Sequence, residues 1–271
     1  AYMKTGLLFS HSNDYQEQWM LDMQNLNRED LFQIINKKKM KQLYGFESHG
    51  ILVKEGGYLF PKLICKEMIT HPNIKISYNY CFENWFKNKS KIDIQFINQE
   101  KKSGFDVLII ANGPSLRQYL SGLKISKGQL VGLKGDQPID LDLPINSAGY
   151  ILPKVDEITW IGSTHEREFE NMDVCLDAGH ELIERTNKNF EITLAGSDKF
   201  LMKANYRVGS KDRLPLAGKI EENIYAIGSL GSRGFSLGPI LGEHVASLIN
   251  NSPSPISSGI ALAVEPLRFK D

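Results

Sequence analysis

IYAIGSLGSRGFSLGPILGEHVASLI, residues 224–249, decides the reading of this chain. Ile224 to Ile227 form a short apolar run expected to be a buried strand, and Gly228, Gly231 and Gly234 then recur every third residue with Ser229, Ser232 and Ser236 among them. Pro239 is expected to open an amphipathic helix. Strand, glycine turn and helix in immediate succession make the geometry of an anion or cofactor cradle. Glycines let backbone approach a ligand, and the unpaired N–H groups of a helix start carry partial positive charge suited to a phosphate or an electron-rich ring. Arg233 adds a full charge, and Phe235 completes the loop. The same glycines also serve as a plain tight connection, and from this stretch alone both uses stay open.

A second stretch of the same kind lies upstream. Asp106 to Gly113 reads DVLIIANG and is followed by Pro114. An apolar strand that ends in a small-residue turn is how a parallel sheet delivers backbone to a ligand at its carboxyl edge. Ala111, Asn112 and Gly113 are therefore read with Gly228 to Ser236 as two arms of one shared site. A buried strand with an ordinary turn is the plainer reading of the first arm.

The remaining segments alternate between strand and helix patterns. Gly6 to Ser10 is expected as a strand, and Asp14 as the start of a helix with Trp19, Met20, Met23 and Leu26 on its apolar side. Lys37, Lys38, Lys39 and Lys41 read as a turn, either a solvated face or a phosphate contact. Gly50 to Val53 and Tyr58 to Phe60 follow as extended segments around a Glu55-Gly56-Gly57 turn, and Pro61 suits the first turn of a helix over 62–70. Alternation at Ile74, Ile76, Tyr78 and Tyr80 predicts a strand, as do Ile92, Ile94 and Phe96. Leu130 to Leu133, Ala148 to Leu152 and Glu157 to Gly162 predict a mainly antiparallel sheet, covered by a helix from Val174 to Thr186.

Composition sets outer bounds. The chain has 271 residues, 41% hydrophobic and 24% charged, with 32 basic and 32 acidic side chains. That length holds one large domain or two interleaved ones. Zero net charge excludes a uniformly basic surface, so a nucleic-acid partner needs a local patch. Cys65, Cys81 and Cys175 are odd in number and lack metal-ligand spacing, which fits reduced thiols used in packing. No run reaches the length of a membrane span, and the expected location is the cytoplasm, with no membrane contact. His165 and His244 have no partner at metal-binding spacing, so no metal site is expected.

DVLIIANG at 106–113, Gly128-Gln129, GYILP at 149–153, IGSTHER at 161–167, YRVGSKDRLPLAG at 206–218 and the 226–239 loop occur in the order found in D-amino-acid-oxidase-type FAD-dependent oxidoreductases. The chain resembles that family from about Gly6 to its end. Within the family it is most similar to the flavin domain of proteins that modify the wobble uridine of tRNA. The resemblance implies an α/β plus α+β fold in which a Rossmann-like FAD-binding domain, here incomplete, is interleaved with a mainly antiparallel substrate-binding sheet. Its expected division is 1–57 and 116–205 for the substrate domain, 58–115 and 206–271 for the FAD domain.

The resemblance also implies chemistry. FAD is expected, held non-covalently, with Ala111, Asn112, Gly113, Gly228, Ser229, Gly231, Ser232, Arg233, Gly234, Phe235 and Ser236 around it. Arg207 stands where family members often carry an arginine for the substrate carboxylate, and a guanidinium offers two parallel donors to such a group. Tyr150 is a second substrate contact through its hydroxyl, and Arg233 faces either the flavin ring or the substrate. A surface ion pair for Arg207 and a core aromatic for Tyr150 are the plainer uses, and Arg213 is expected to support its loop. The implied reaction removes the carboxymethyl group from 5-carboxymethylaminomethyl-uridine by oxidative C–N cleavage. tRNA is the implied partner, with a methyltransferase domain or partner beside it.

One part of the family pattern does not occur here. The strand, G-x-G-x-x-G turn and ribose-binding acidic residue that admit the pyrophosphate would stand before Ala1-Tyr2-Met3-Lys4, and so would a methyltransferase domain. Two other readings therefore stand beside the first. One is an oxidase of small amines or amino acids, of the glycine or sarcosine type. The other is a non-catalytic remnant that binds tRNA or a protein without FAD.

Overall fold

The computed structural model describes residues 1–10, 14–45, 47–138, 140–147, 149–194 and 200–269. The chain opens with β1 (Tyr2–Met3), β2 (Leu7–Ser10), α1 (Asp14–Asn25), β3 (Phe32–Ile35), α2 (Lys37–Tyr44), β4 (Gly50–Val53), β5 (Tyr58–Leu59) and α3 (Pro61–Met68). It continues with β6 (Phe82–Asn88), β7 (Lys91–Phe96), β8 (Lys102–Phe105), β9 (Leu108–Ile110), a 3-10 turn (Gly113–Gln118), β10 (Leu123–Lys134), β11 (Ile145–Asn146), β12 (Tyr150–Ile151) and β13 (Ile158–Gly162). α4 (Leu176–Phe190), β14 (Phe200–Ser210), β15 (Leu216–Glu221), β16 (Ile224–Gly228), α5 (Gly234–Asn250) and α6 (Ser258–Ala263) complete it. Contacts divide these elements into two compact units, one of residues 1–74, 128–166 and 170–205, the other of 75–127, 167–169 and 206–271.

The first unit is built on an eight-stranded sheet in the order β14-β10-β13-β12-β11-β2-β4-β3. Its pairs are antiparallel at β10 with β13, β12 with β13, β11 with β12, β2 with β4 and β3 with β4, and parallel where β11 meets β2. α4 covers one face because its buried positions, Gly179, Leu182, Ile183, Thr186 and Phe190, recur at the i, i+3, i+4, i+7 and i+11 spacing of one helix face. Leu182, Ile183 and Phe190 pack with Val131, Leu133, Ile151 and Ile161 of the sheet in one core. Gly179 is needed there, since a Cβ would come 2.9 Å from the Phe200 ring.

The second unit carries a three-stranded sheet, β15-β16-β9, antiparallel on one side of β16 and parallel on the other. Alternation along β16 divides its contacts: Ile224 and Ala226 join Leu108, Ile110 and Leu116, while Tyr225 joins Leu241 and Val245 of α5. The antiparallel sheet β6-β7-β8 supplies Ile92 to the first of these cores. A mixed α/β unit and a mainly antiparallel one make up the fold class the sequence leads one to expect.

Several local expectations change. The lysines at 37–41 lie in a helix, α2, capped by the Asn36 side chain, which accepts from the Lys39 N–H at 2.9 Å, and closed by Gly45 at φ 85°. Lys41 pairs with Glu47. Ile74, Ile76, Tyr78 and Tyr80 form no strand and stand exposed, because Asn79 adopts φ 63° and breaks the extended run. Leu26 falls beyond the end of α1 and is exposed, whereas Trp19 and Met23 pack against Phe32 and Ile51. The Met20 side chain and Ala148 lie outside the described residues. Pro239 sits inside α5 rather than opening it. Cys65, Cys81 and Cys175 are free and exposed, not packed. Among the described residues no helix is long and apolar enough to cross a membrane.

Candidate functional site

β9 and β16 run parallel with Leu108 opposite Ile224 and Ile110 opposite Ala226. Residues 111–113 and 227–234 therefore leave the sheet at the same carboxyl edge, where open α/β sheets bind ligands. The two arms read from the sequence do converge, and both lie in the second unit.

Each residue of this edge has a definable job. Asn112 has a buried side-chain oxygen, Oδ1, with no hydrogen-bond partner among the described residues. Leaving such an acceptor unsatisfied is costly, so it is a natural place for a donor from a bound group. Gly113 is left-handed at φ 60°, and a Cβ on it would meet nothing within 4 Å. Gly231, at φ 56°, and Gly234 face the same kind of open space. Gly228 is different. A Cβ there would come 2.5 Å from Leu116 Cδ2, so this glycine serves the packing of the 3-10 turn under the sheet. Ala111 and Ser232 are exposed. Ser229 is buried, and Gly231 donates its N–H to the Val208 carbonyl at 3.0 Å, which ties the loop to β14.

α5 begins at Gly234 with no side-chain cap, so the N–H groups of its first turn stay available. Phe235 is exposed, and the Ser236 hydroxyl donates to the Arg233 carbonyl at 3.0 Å. The Arg233 guanidinium donates to the Arg213 carbonyl at 2.6 Å, a bond that braces the loop. Open backbone at three glycines and an uncapped helix start suit the anionic part of a group such as FAD, and the unsatisfied Asn112 oxygen suits one of its hydrogen-bond donors.

The brace continues to residues the sequence reading missed. Asp212 accepts from Arg268 at 2.8 and 2.9 Å, from the Ser210 hydroxyl at 2.6 Å and from the Leu214 N–H at 2.9 Å. The Arg268 guanidinium, foremost among these donors, holds the Asp212 carboxyl well below the usual carboxylate range, against a smaller opposing effect of burial. Arg213 adopts φ 64° in that turn, so its backbone, not its charge, holds the loop. Asp212 stood in the quoted 206–218 motif; Arg268 carried no signal at all.

In the first unit, Gln129 is fully buried and satisfied. Its amide donates to Glu166 at 2.8 Å and accepts from the Cys175 N–H at 2.7 Å, and its own backbone N–H donates to the Thr164 hydroxyl at 2.8 Å. The 161–167 motif is thus fastened to β10 and to the start of α4. Arg207 is half-buried on the second unit's part of β14, and Tyr150 is half-buried on β12 of the first unit. His165 is exposed, and buried His244 places Nδ1 2.9 Å from the Ser254 hydroxyl.

Comparison with known proteins agrees with this geometry. Residues 1–248 match the DAO family, described as FAD dependent oxidoreductase. The bifunctional protein MnmC of tRNA 5-methylaminomethyl-2-thiouridine biosynthesis from Campylobacter jejuni subsp. doylei is 26% identical over 260 residues, covering 84% of this chain. The MnmC of a Caulobacter species is 32% identical over 146 residues, 49% of this chain. The chain spans 41% of the Campylobacter protein's length and 23% of the Caulobacter protein's. Among solved structures, iminodiacetate oxidase from a Chelativorans species aligns with a TM-score of 0.80 at 14% identity, over 98% of this chain and 76% of that one. Glycine oxidase from Geobacillus kaustophilus aligns at 0.78 and 15%, over 100% and 76%. These two alignments show a shared fold. With the family match running from residue 1 to 248, the chain belongs to the DAO family of FAD-dependent oxidoreductases.

Proposed function

We propose that this chain provides the substrate sheet and the carboxyl-edge part of the cofactor site of an oxidoreductase acting on the wobble uridine of tRNA. The reaction converts 5-carboxymethylaminomethyl-uridine and water to the 5-aminomethyl form and glyoxylate, with two electrons and two protons leaving the substrate. The observation that carries this reading is the 26% identity to MnmC across 84% of the chain. It is supported by the convergence of Asn112 and Gly113 with the 228–234 loop at one sheet edge.

Bound FAD supplies a two-electron oxidant for a C–H bond beside an amine nitrogen. The protein's part is placement. Asn112, Gly113, Gly231, Gly234 and the first turn of α5 receive the cofactor. Ala111, Gly228, Ser229, Ser232, Phe235 and Ser236 shape the same edge. Arg233, fixed on the Arg213 carbonyl, keeps the loop in register and adds positive charge beside it. Arg207 pairs with the substrate carboxylate, and Tyr150 contacts the substrate through its hydroxyl. Orientation of this kind, rather than a general base, is what the protein needs to contribute.

A second reading has its own support. The fold is shared with iminodiacetate oxidase and glycine oxidase, which are named for small amino acids. Both readings are separated by one set of assays. The purified protein is expected to show flavin absorption, to release FAD on denaturation and to form glyoxylate from tRNA bearing the carboxymethylaminomethyl group. Hydrogen peroxide from glycine, sarcosine or iminodiacetate, with tRNA left unchanged, would transfer the assignment to the small-amine reading. Colourless protein that stays colourless with added FAD would remove both.

A further inference from the structure

Arg213 and Leu214 share one peptide unit, and both of its ends are held. Its N–H, that of Leu214, donates to Asp212 Oδ1 at 2.9 Å, and its carbonyl, that of Arg213, accepts from Arg233 Nη2 at 2.6 Å. A trans peptide is planar, with its N–H and C=O pointing in opposite directions. Whatever orients the N–H end therefore aims the carbonyl end. Arg213 stands at φ 64°, a conformation that a non-glycine residue keeps where its surroundings over-determine it. Asp212 supplies that constraint.

Asp212 is itself fixed from a distant part of the chain. Arg268 donates to its two oxygens from Nε at 2.8 Å and from Nη2 at 2.9 Å, the paired geometry that sets a carboxylate in plane and direction. Nη2 also donates to the Leu214 carbonyl at 3.1 Å, and Nη1 to the Glu265 carbonyl at 2.9 Å. The Arg268 side chain is only 13% exposed, so the fork has little room to turn. The backbone on either side of it is tied down as well. The Val264 carbonyl accepts from the Ala217 N–H at 2.8 Å, and the Phe269 carbonyl from the Ser121 hydroxyl at 2.9 Å.

Arg268, Asp212, the 213–214 peptide and Arg233 thus form a relay inside the second unit. At its end the Arg233 guanidinium is exposed and, among the described residues, makes no ion pair, so a single carbonyl places its charge beside the 228–236 loop. Without that bond the long side chain would sample many rotamers, and a bound ligand would have to order it. We propose that Asp212 and Arg268 are positioning residues for the cofactor, which aim the Arg213 carbonyl so that Arg233 is held ready for an electron-rich part of FAD. Neither of the two needs to touch the cofactor. This rests on the reading of 228–236 as the cofactor edge and adds what sets the charge there.

The test is titration of the whole apoprotein with FAD, followed by flavin fluorescence, with circular dichroism as the check on folding. Arg233→Ala is expected to weaken FAD binding about tenfold. Asp212→Ala, which frees the Leu214 N–H, is expected to cause a similar loss, whereas Asp212→Asn keeps an oxygen for that N–H and is expected to stay within about threefold of the unsubstituted protein. The double variant Asp212→Ala/Arg233→Ala is expected to bind FAD no more weakly than either single variant, because both changes remove the same contact. A merely structural Asp212 would add its own loss to that of Arg233. Additive losses, or full affinity in Asp212→Ala, would overturn the relay and leave the cofactor edge standing. Should Asp212→Ala fail to fold, Arg268→Gln, expected to weaken binding about threefold, decides the same question when combined with Arg233→Ala. FAD binding untouched by Arg233→Ala, or absent from the unsubstituted protein, would overturn both the relay and the cofactor edge.

Discussion

At the residue scale, the glycines of the 228–234 loop are not equivalent, and substitution separates their roles. A Cβ on Gly228 meets the fully buried Leu116 at 2.5 Å, so Gly228→Ala is expected to destabilise the protein by about 1–3 kcal/mol in urea unfolding. A Cβ on Gly234 meets nothing within 4 Å and the residue is helical, so Gly234→Ala is expected to leave stability unchanged or slightly raised. If the open space at Gly234 receives FAD, the same substitution lowers FAD retention through gel filtration; undiminished retention would take Gly234 out of the cofactor site. Asp212 is the other residue whose removal has a defined reading. Asp212→Asn weakens the paired bond to Arg268 at a carboxylate one-third exposed, and solvent screening keeps the expected loss to about 1 kcal/mol. Because its pKa in the folded state is depressed, the Asp212 contribution is present above the ordinary carboxylate value of 3.8 and disappears as pH falls below it. Thermal melting between pH 6 and pH 3 is expected to drop less steeply in Asp212→Asn than in the unsubstituted protein.

At the scale of elements, Gln129 joins three segments distant in sequence. Its amide serves Glu166 and the Cys175 N–H from a fully buried position, and Gln129→Ala removes both bonds and leaves a cavity, while Glu166 keeps its bond from the Thr164 hydroxyl. Loss of about 2–4 kcal/mol in urea unfolding is expected, with secondary structure retained by circular dichroism. Inside α5, His244 is buried at 3% exposure, and burial lowers its pKa from the ordinary 6.5. A depressed histidine favours the neutral form on folding, so its contribution is complete above pH 6.5 and is lost as pH falls through and below that value. His244→Gln is expected to flatten the stability profile between pH 7 and pH 5; an unchanged slope there would show that another group titrates. α5 itself was legible as a helix, but its start was not. Pro239 looked like an opening residue because proline suits a first helical turn, whereas the loop glycines allow the helix to begin five residues earlier.

At the scale of the whole molecule, the two compact units are each discontinuous in sequence, and the division falls within both β10 and β14. The last segment, 206–271, holds β15, β16 and α5 but obtains Leu108, Ile110 and Leu116 of its core from elsewhere in the chain. Expressed alone, residues 206–271 are expected not to fold. Poor amide dispersion in NMR spectra and the absence of a cooperative melt would agree, and a sharp melt would show that α5 and its hairpin suffice. The parallel step from β9 to β16 requires chain from both parts, which is why the site edge exists only in the assembled unit.

Local chemistry was enough to mark the strand-turn-helix at 224–249, the DVLIIANG strand, the helix opened by Pro61 and the helix that covers the sheet. Each depends on signals a few residues apart, such as apolar runs, glycine spacing and helical periodicity. Local pattern failed where it competed with backbone or with distant partners. The alternation at 74–80 gives way to a positive φ at Asn79, and the lysines at 37–41 take helical form under the Asn36 cap. The brace at the site, Asp212 with Arg268, and the one in the first unit, Gln129 with Glu166, join residues 56 and 37 positions apart. Only tertiary structure decided that Gly228 is a packing residue while Gly113, Gly231 and Gly234 face open space, because a glycine's role depends on what a side chain would meet, and those atoms come from other parts of the chain.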